Sequence, residues 1–371
     1  MADERERLHR TWLHSDGAIP SRFVRPLLQF THVEAAGGIV LLAATIAALI
    51  WANMGSGESY QEFWHTHVSF SIGSFHFDES LKHIVNDGLM AIFFFVVALE
   101  IKRELVVGEL RDRKRAALPA IAALGGMILP AAIYVFFVMG TGGEALQGWG
   151  IPMATDIAFS VGVLSLLGTR ISVGAKLFLL ALAIADDVGA IVVIAVFYTS
   201  DLNFVYLVAS ALVLAGVKVA SRIGIRSIGF YVVFGLVAWY FMLESGVHAT
   251  IAGVALGLLT PVHAMYSDNE YYRISKWILN RYDMDSAAPR ARERVDHDAL
   301  ELSVVARESV SPLDRLELTL HPWSSFVIIP IFALANAGVR FVDIDLLNAA
   351  ASNVALGVAA GLVVGKTVGV T

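Results

Sequence analysis

The 371-residue sequence has no cysteine, which excludes disulfides and thiolate metal sites without identifying a compartment. Charge is also scarce. Asp, Glu, Lys and Arg make up 16% of the chain against 57% hydrophobic residues, and mean hydropathy is +0.67, so an ordinary soluble globule is excluded. The amino-terminal stretch MADERERLHRTWLHSDG has no apolar core segment and does not read as a cleavable signal peptide, so the first apolar run is expected to be retained. The net charge of −6 says little about partners, because charge is distributed loop by loop.

What the chain does have is long apolar runs. Stretches of about 17–25 residues cross roughly 30 Å of hydrocarbon as helices. Candidates centre near Leu42, Phe94, Met127, Val161, Ile184, Leu212, Phe234, Gly253, Pro330 and Gly361. The expected fold class is an all-α polytopic membrane protein, with residues 1–371 forming a single transmembrane domain of about ten spans in the lipid bilayer. Of the 27 Lys and Arg residues, all but Lys82, Arg340 and Lys366 fall before the first span or in 102–115, 170–176, 218–226 and 273–315. Those are alternate loops, so the positive-inside rule places the amino terminus in the cytoplasm.

Two connections stand out. Partial alternation around Gly73-Ser74 predicts a short external β-hairpin over Val68–Phe77, with His65, His67 and His76 in or near it. Histidine is a common metal ligand, but polar hairpin faces carry histidines routinely. The second connection, Asp268 to Leu320, mixes both charge signs with few apolar residues. Its 268–310 part reads as a mobile cytoplasmic loop.

The sharpest feature is a pair of carboxylates. Asp186 and Asp187 are the only charged residues between Lys176 and Asp201. An ionised carboxylate at the centre of a spanning helix costs roughly 2.5–3.5 kcal/mol on insertion scales, so two together require a partner, a proton or a cation. Successive helical residues point about 100° apart, so the two cannot both face one small ion head-on. One can face a cavity while the other faces a neighbouring helix. Carboxylates so close take up protons as a coupled unit, and their oxygens suit a small hard cation.

Other intramembrane charges bear on the pair. Asp156 is the only charge between Ala145 and Thr169, in GWGIPMATDIAFSVGVL. Pro152 with Gly148 and Gly150 predicts either a kinked helix or one broken near Ala154-Thr155, and transporters place ion sites at such breaks. Lys366 is the only charge from Leu346 onward, and pairing it with one aspartate lowers the cost of burying both. GLVVGKT superficially looks like a phosphate-binding loop, but it has three residues between its glycines where the motif needs four, and no strand is expected before it. Gly361, Gly365 and Gly369 recur every fourth residue, which favours close approach of another helix. LEIKREL reads by itself as a positive-inside helix end, and His248 in SGVHATIAG as a packed histidine.

Together, AIPMATDIAFSVGVLSLLGTR, ALAIADDVGAIVVIAVFYT, SGVHATIAG, LHPWSSFVIIPIFALANAGV, GLVVGKTVGV and LEIKREL resemble the NhaA-type sodium/proton antiporters. The resemblance runs from about Ala35 to the last residue, apart from the insertion at Asp268–Val310. It implies a secondary transporter rather than an enzyme, with an inverted-repeat bundle containing broken helices, in a bacterial plasma (inner) membrane. Its function would be Na+ or Li+ exchange for H+, regulated by pH, for sodium and pH homeostasis. No cofactor and no nucleic-acid partner are implied. Asp187 would be the principal cation and proton carboxylate. Asp186 would pair with Lys366, and Thr155 and Asp156 would sit at a helix break. Glu100, Arg103, Glu104, Glu317 and, more loosely, His248 would match the family's pH-sensing region, and the hairpin would contribute to a homodimer.

The sequence also departs from the pattern. The family continues with two helices after the lysine span, so a chain ending at Thr371 reads as truncated. Half of the ion-site scaffold would then be absent, and the chain as given is expected to be impaired or inactive. Leu318 stands where the family usually has histidine. Two readings from other classes remain. An intramembrane aspartyl protease could use Asp156 and Asp187, although ADDVGA lacks the Gly-x-Gly-Asp motif. A cation channel could line its pore with acidic groups, although one tandem pair beside a lysine makes a poor ring.

Overall fold

The computed structural model describes residues 36–55, 57–73, 75–154, 172–199, 202–225, 228–281, 289–343 and 345–371. The described residues form a helical membrane protein carrying one small two-stranded sheet. In chain order they are α1 (Ala36–Asn53), α2 (Glu58–His65), β1 (His67–Ile72), β2 (Phe75–Ser80), α3 (Leu81–Val106) and α4 (Arg113–Val138). Next come α5 (Val173–Phe197), α6 (Phe204–Arg222), α7 (Ile228–Glu244), α8 (Thr250–Leu259), α9 (Asp268–Arg281), α10 (Pro289–Glu308), α11 (Pro312–Asn336) and α12 (Asn353–Val370). Among them, α1, α3, α4, α6, α11, α12 and Leu177–Phe197 of α5 are long and apolar enough to cross a membrane. Gly229–Glu244 and α8 are shorter apolar helices. Nine of the ten sequence candidates are thereby helical, and the tenth, near Val161, lies outside the described residues.

The chain divides into two compact units, with boundaries after residues 82, 121, 186 and 324. In the first unit, α12 lies against α4 with almost no side chain between them. A methyl on Gly369 would collide with the Gly125 carbonyl, and a Cβ on Gly365 would come 2.7 Å from the Pro130 Cα. The four-residue glycine spacing is thus a close-packing seam, the arrangement that holds helices together where no hydrophobic effect acts between them. The GLVVGKT segment is helical throughout, with a π turn at Gly361–Gly365. Ala122, Ala123 and Leu182 bury a core under Phe178, Leu179, Ala185 and Val370. On another side of this unit, Asn53 ties the end of α1 to the segment after α11. Its side chain donates to the Val339 carbonyl at 2.8 Å and accepts from the Phe341 amide at 2.8 Å.

The hairpin also belongs to the first unit. It pairs His67 with Ser80 through Phe70 with Phe77, with Gly73 at φ 63° in the turn. Antiparallel partners share a face, so Val68, Phe70 and Phe77 form a mainly apolar side edged by Glu79, and His67, Ser69, Ser71, His76, Asp78 and Ser80 a polar side. Phe70 stacks on Phe77 with ring centres 5.2 Å apart, and Val68 and Phe70 are exposed.

In the second unit, α8 runs alongside α3 in the same direction, matching Gly253 to Ala91 and Gly257 to Phe95 and Ala98. A Cβ at Gly253 would strike the Ala91 carbonyl, and one at Gly257 would lie 2.8 Å from the Phe95 carbonyl. The buried Ser210 hydroxyl of α6 donates to the Ala238 carbonyl of α7 at 2.9 Å. The Trp239 indole donates to the Asp87 carbonyl at 2.9 Å, within the π turn Ile84–Leu89 of α3. Residues 268–310 differ from the expected charged loop, because α9 and α10 occupy most of them. Ser267 and Glu270 cap α9 reciprocally, with the Ser267 amide donating to the Glu270 carboxylate at 2.9 Å. Ile278 and Val305 bury the facing sides of the two helices. Charge density hid this amphipathic spacing. The Met265 amide donates to the Glu308 carbonyl at 2.9 Å, closing the base of the pair.

The glycine seam yields a paired test. Gly369→Ala should destabilise the detergent-solubilised protein by about 1–3 kcal/mol, the usual effect of overpacking. Gly216→Ala on α6, where a Cβ meets nothing within 4 Å, should be neutral or stabilising in the same thermal-unfolding assay. The cap yields a second. Hydrogen bonds from Ser267 hold the Glu270 carboxyl below the ordinary glutamate range, so its contribution is present above the unfolded pKa and lost as pH falls through the folded one. Protection factors in the first turn of α9, which discount the slower intrinsic exchange in acid, should therefore fall on acidification, and Glu270→Gln should remove that pH dependence.

Candidate functional site

A buried ion pair lies in the first unit. Lys366 follows directly after the π turn of α12, and its ammonium lies 2.9 Å from Asp186 Oδ2. The same ammonium donates to the Met153 carbonyl. The side chains of Asp186 and Lys366 are 6% and 18% exposed, so water screens the pair little. Local sequence explains the meeting. Glycines let α12 approach until a Cβ at Gly361 would lie 2.9 Å from Pro152 Cβ, bringing the lysine within reach of both partners. π turns inside helices often occur at functional sites, and this one immediately precedes the only charge on α12.

Met153 ends a run of 3₁₀ turns, Gln147–Met153, that contains Pro152, and Ala154 is extended at φ −64°, ψ 143°. The helical run therefore stops at Met153, and its last carbonyl is taken by an ammonium. Thr155 and Asp156, the other residues expected at a break here, lie outside the described residues. Asp187 follows Asp186 on α5 and is half-buried, so its side chain leaves the helix on a different face.

A second charged group stands in the second unit, at the end of α3. Arg103 Nη1 lies 2.5 Å from Glu317 Oε1 of α11, and Glu100 Oε1 lies 3.9 Å from His321 Nε2. The charges of Glu317, Arg103 and Glu104 all act on Glu100. Glu317 is 8% exposed, and its Oε2 is buried with no hydrogen-bond partner among the described residues. Four of the five expected pH-sensing residues thus converge. His248 does not. It precedes α8 at the end opposite Leu258 and Thr260, which contact Lys102 beside this cluster. The ten residues of α8 put it about 15 Å away along the helix axis.

Sequence reading missed Lys102, His321 and the Met153 carbonyl. His321 could have been found from its i,i+4 spacing to Glu317 in LELTLHPW, whereas the other two contacts are long-range and end on backbone. The hairpin histidines do not converge. His67 Nδ1 lies 3.0 Å from Asp78 Oδ1, and His65 Nδ1 lies 2.8 Å from the Gln61 carbonyl. Among the described residues, the group with spacing suited to a metal is His297, Asp298 and Glu301 on α10.

The family model described as Na+/H+ antiporter 1 matches residues 28–371. The chain belongs to that family. It is 47% identical over 346 residues to "Na(+)/H(+) antiporter NhaA 2" of Myxococcus xanthus, covering 93% of this chain and 73% of the relative. It is 46% identical over 352 residues to NhaA of Rhodopirellula baltica (94% and 78%), and 44% over 353 residues to NhaA of Janthinobacterium sp. (95% and 78%). The family match spans both charged groups and α9–α10.

In this antiporter-family chain the buried pair makes a direct stability prediction. Removing one member of a buried ion pair strands the other charge, at about 3–5 kcal/mol. Lys366→Met should therefore lower thermal stability strongly at neutral pH. Lys366→Met combined with Asp186→Asn should recover much of that loss, a non-additivity that a double-mutant cycle measures.

Proposed function

We propose that this chain is a secondary transporter that exchanges Na+, or Li+, for H+ across a bacterial plasma membrane, with its amino terminus in the cytoplasm. One observation carries the reading: in a chain of the antiporter family, a buried carboxylate, Asp186, is held by Lys366 while Asp187 stands next to it on another face of α5.

Two carboxylates side by side at membrane depth divide the work. Asp186 pairs with an ammonium, and Asp187, on another face of α5, is the group that holds a proton or a small hard cation through its oxygens. A proton and Na+ compete for that carboxylate, so binding one expels the other. Rocking of the protein then exposes the site to the opposite face. Thr155 and Asp156 supply further oxygens near the end of the Gln147–Met153 run. If two protons move for each Na+, one net charge crosses per cycle, and the membrane potential drives sodium export.

Glu100, Arg103, Glu104 and Glu317 form the pH-responsive group in this reading, with His248 a separate element. The apolar side of the hairpin, Val68, Phe70 and Phe77, serves a homodimer contact. These roles adjust when and where exchange occurs, and the exchange itself rests on Asp187.

Proteoliposomes containing the full chain should acidify or alkalinise in response to a Na+ gradient, with saturation in Na+. Asp187→Asn should abolish that response, and exchange retained by this variant would sink the assignment.

A further inference from the structure

We propose that Lys102 is a positioning residue that ties the end of α8 to the Arg103–Glu317 contact, so that the charge state of that contact is felt at α8. This rests on the exchange reading above for its consequence and on geometry for the tie itself.

Lys102 lies on the last turns of α3, and its ammonium donates to the Leu258 carbonyl at 2.7 Å and to the Thr260 carbonyl. Those carbonyls belong to the carboxyl-terminal end of α8, where the helix leaves acceptors without intrahelical donors and carries partial negative charge. A cation there caps the helix. Thr260 is extended at ψ 133°, so α8 stops where the ammonium sits.

The neighbouring residue, Arg103, points about 100° further round α3 and holds Glu317 of α11. Adjacent residues on one turn therefore grip two different helices. Gly253 and Gly257 seat α8 on the α3 backbone and the Ala98 methyl, so the two helices have little room to slide independently. A change that releases Arg103 from Glu317 frees the turn that carries Lys102. Among the described residues, α8 carries no charge and the like charge of Lys218 on α6 acts on Lys102, while Glu100, Arg103 and Glu104 share the end of α3, where Arg103 meets Glu317 and Glu100 meets His321 of α11.

The test uses the full chain in detergent, with hydrogen exchange read at the amides of Leu256–Thr260. Lys102→Met should raise exchange there roughly tenfold or more, the scale of a lost hydrogen bond to a charged group, and Lys102→Arg should retain protection. Glu317→Gln, which does not touch α8, should also raise exchange in that turn, but should add nothing in the Lys102→Met background. In proteoliposomes, both substitutions and their combination should shift the pH midpoint of Na+-driven proton flux by the same amount, and Lys102→Arg should restore it. Additive exchange effects, or a Glu317→Gln variant with unchanged protection at Leu256–Thr260, would overturn the tie. An unshifted midpoint in Lys102→Met would overturn its functional consequence. Absence of Na+-dependent flux in the unmodified chain would overturn the exchange reading alone, because the detergent measurement does not depend on transport.

Discussion

A lysine ammonium and an aspartate carboxylate 2.9 Å apart, both largely out of water, set the terms for the rest of the first unit. Neither charge is tolerable there alone. To bring them together, α12 must approach α4 and the Gln147–Met153 run closely enough for backbone atoms to touch. The sequence meets that demand with Gly361, Gly365 and Gly369 on one side and Gly125, Pro130 and Pro152 on the other. The glycines, the π turn and the 3₁₀ run serve one requirement: to place Lys366 where it reaches both Asp186 and the Met153 carbonyl.

The second unit applies the same logic at a helix end. Gly253 and Gly257 bring α8 onto α3, and the charges at the end of α3 are then distributed between a helix terminus and a carboxylate. In both places a cation satisfies backbone carbonyls as well as a side chain or a dipole. Such contacts give partners to acceptors that a helix end leaves without intrahelical donors.

Much of this was legible in the sequence. Run length alone located the described spans, and alternation around Gly73 located the hairpin to within a few residues. Isolation of charge singled out Asp186, Asp187 and Lys366, because an apolar run makes each ionisable residue conspicuous. The four-residue glycine spacing pointed to close packing in place of a nucleotide loop. Other features were hidden for physical reasons. α9 and α10 looked like a loop because their charges outnumber the buried stripe at Ile278 and Val305, and helix formation there follows from capping and mutual burial. Lys102 and the Met153 carbonyl could not be anticipated, since their contacts join residues more than 150 positions apart and end on backbone groups that every residue carries. His248 matched a motif yet stands at the far end of α8 from the cluster it was grouped with.

The central claim is that one carboxylate beside a buried ion pair exchanges protons for Na+. Calorimetric titration of Na+ into the purified chain, repeated in buffers of different ionisation enthalpy, counts the protons released per cation bound. The account predicts Na+ binding with proton release in the unmodified protein, and loss of both in Asp187→Asn. Na+ binding with no proton release, or release that survives Asp187→Asn, would contradict it.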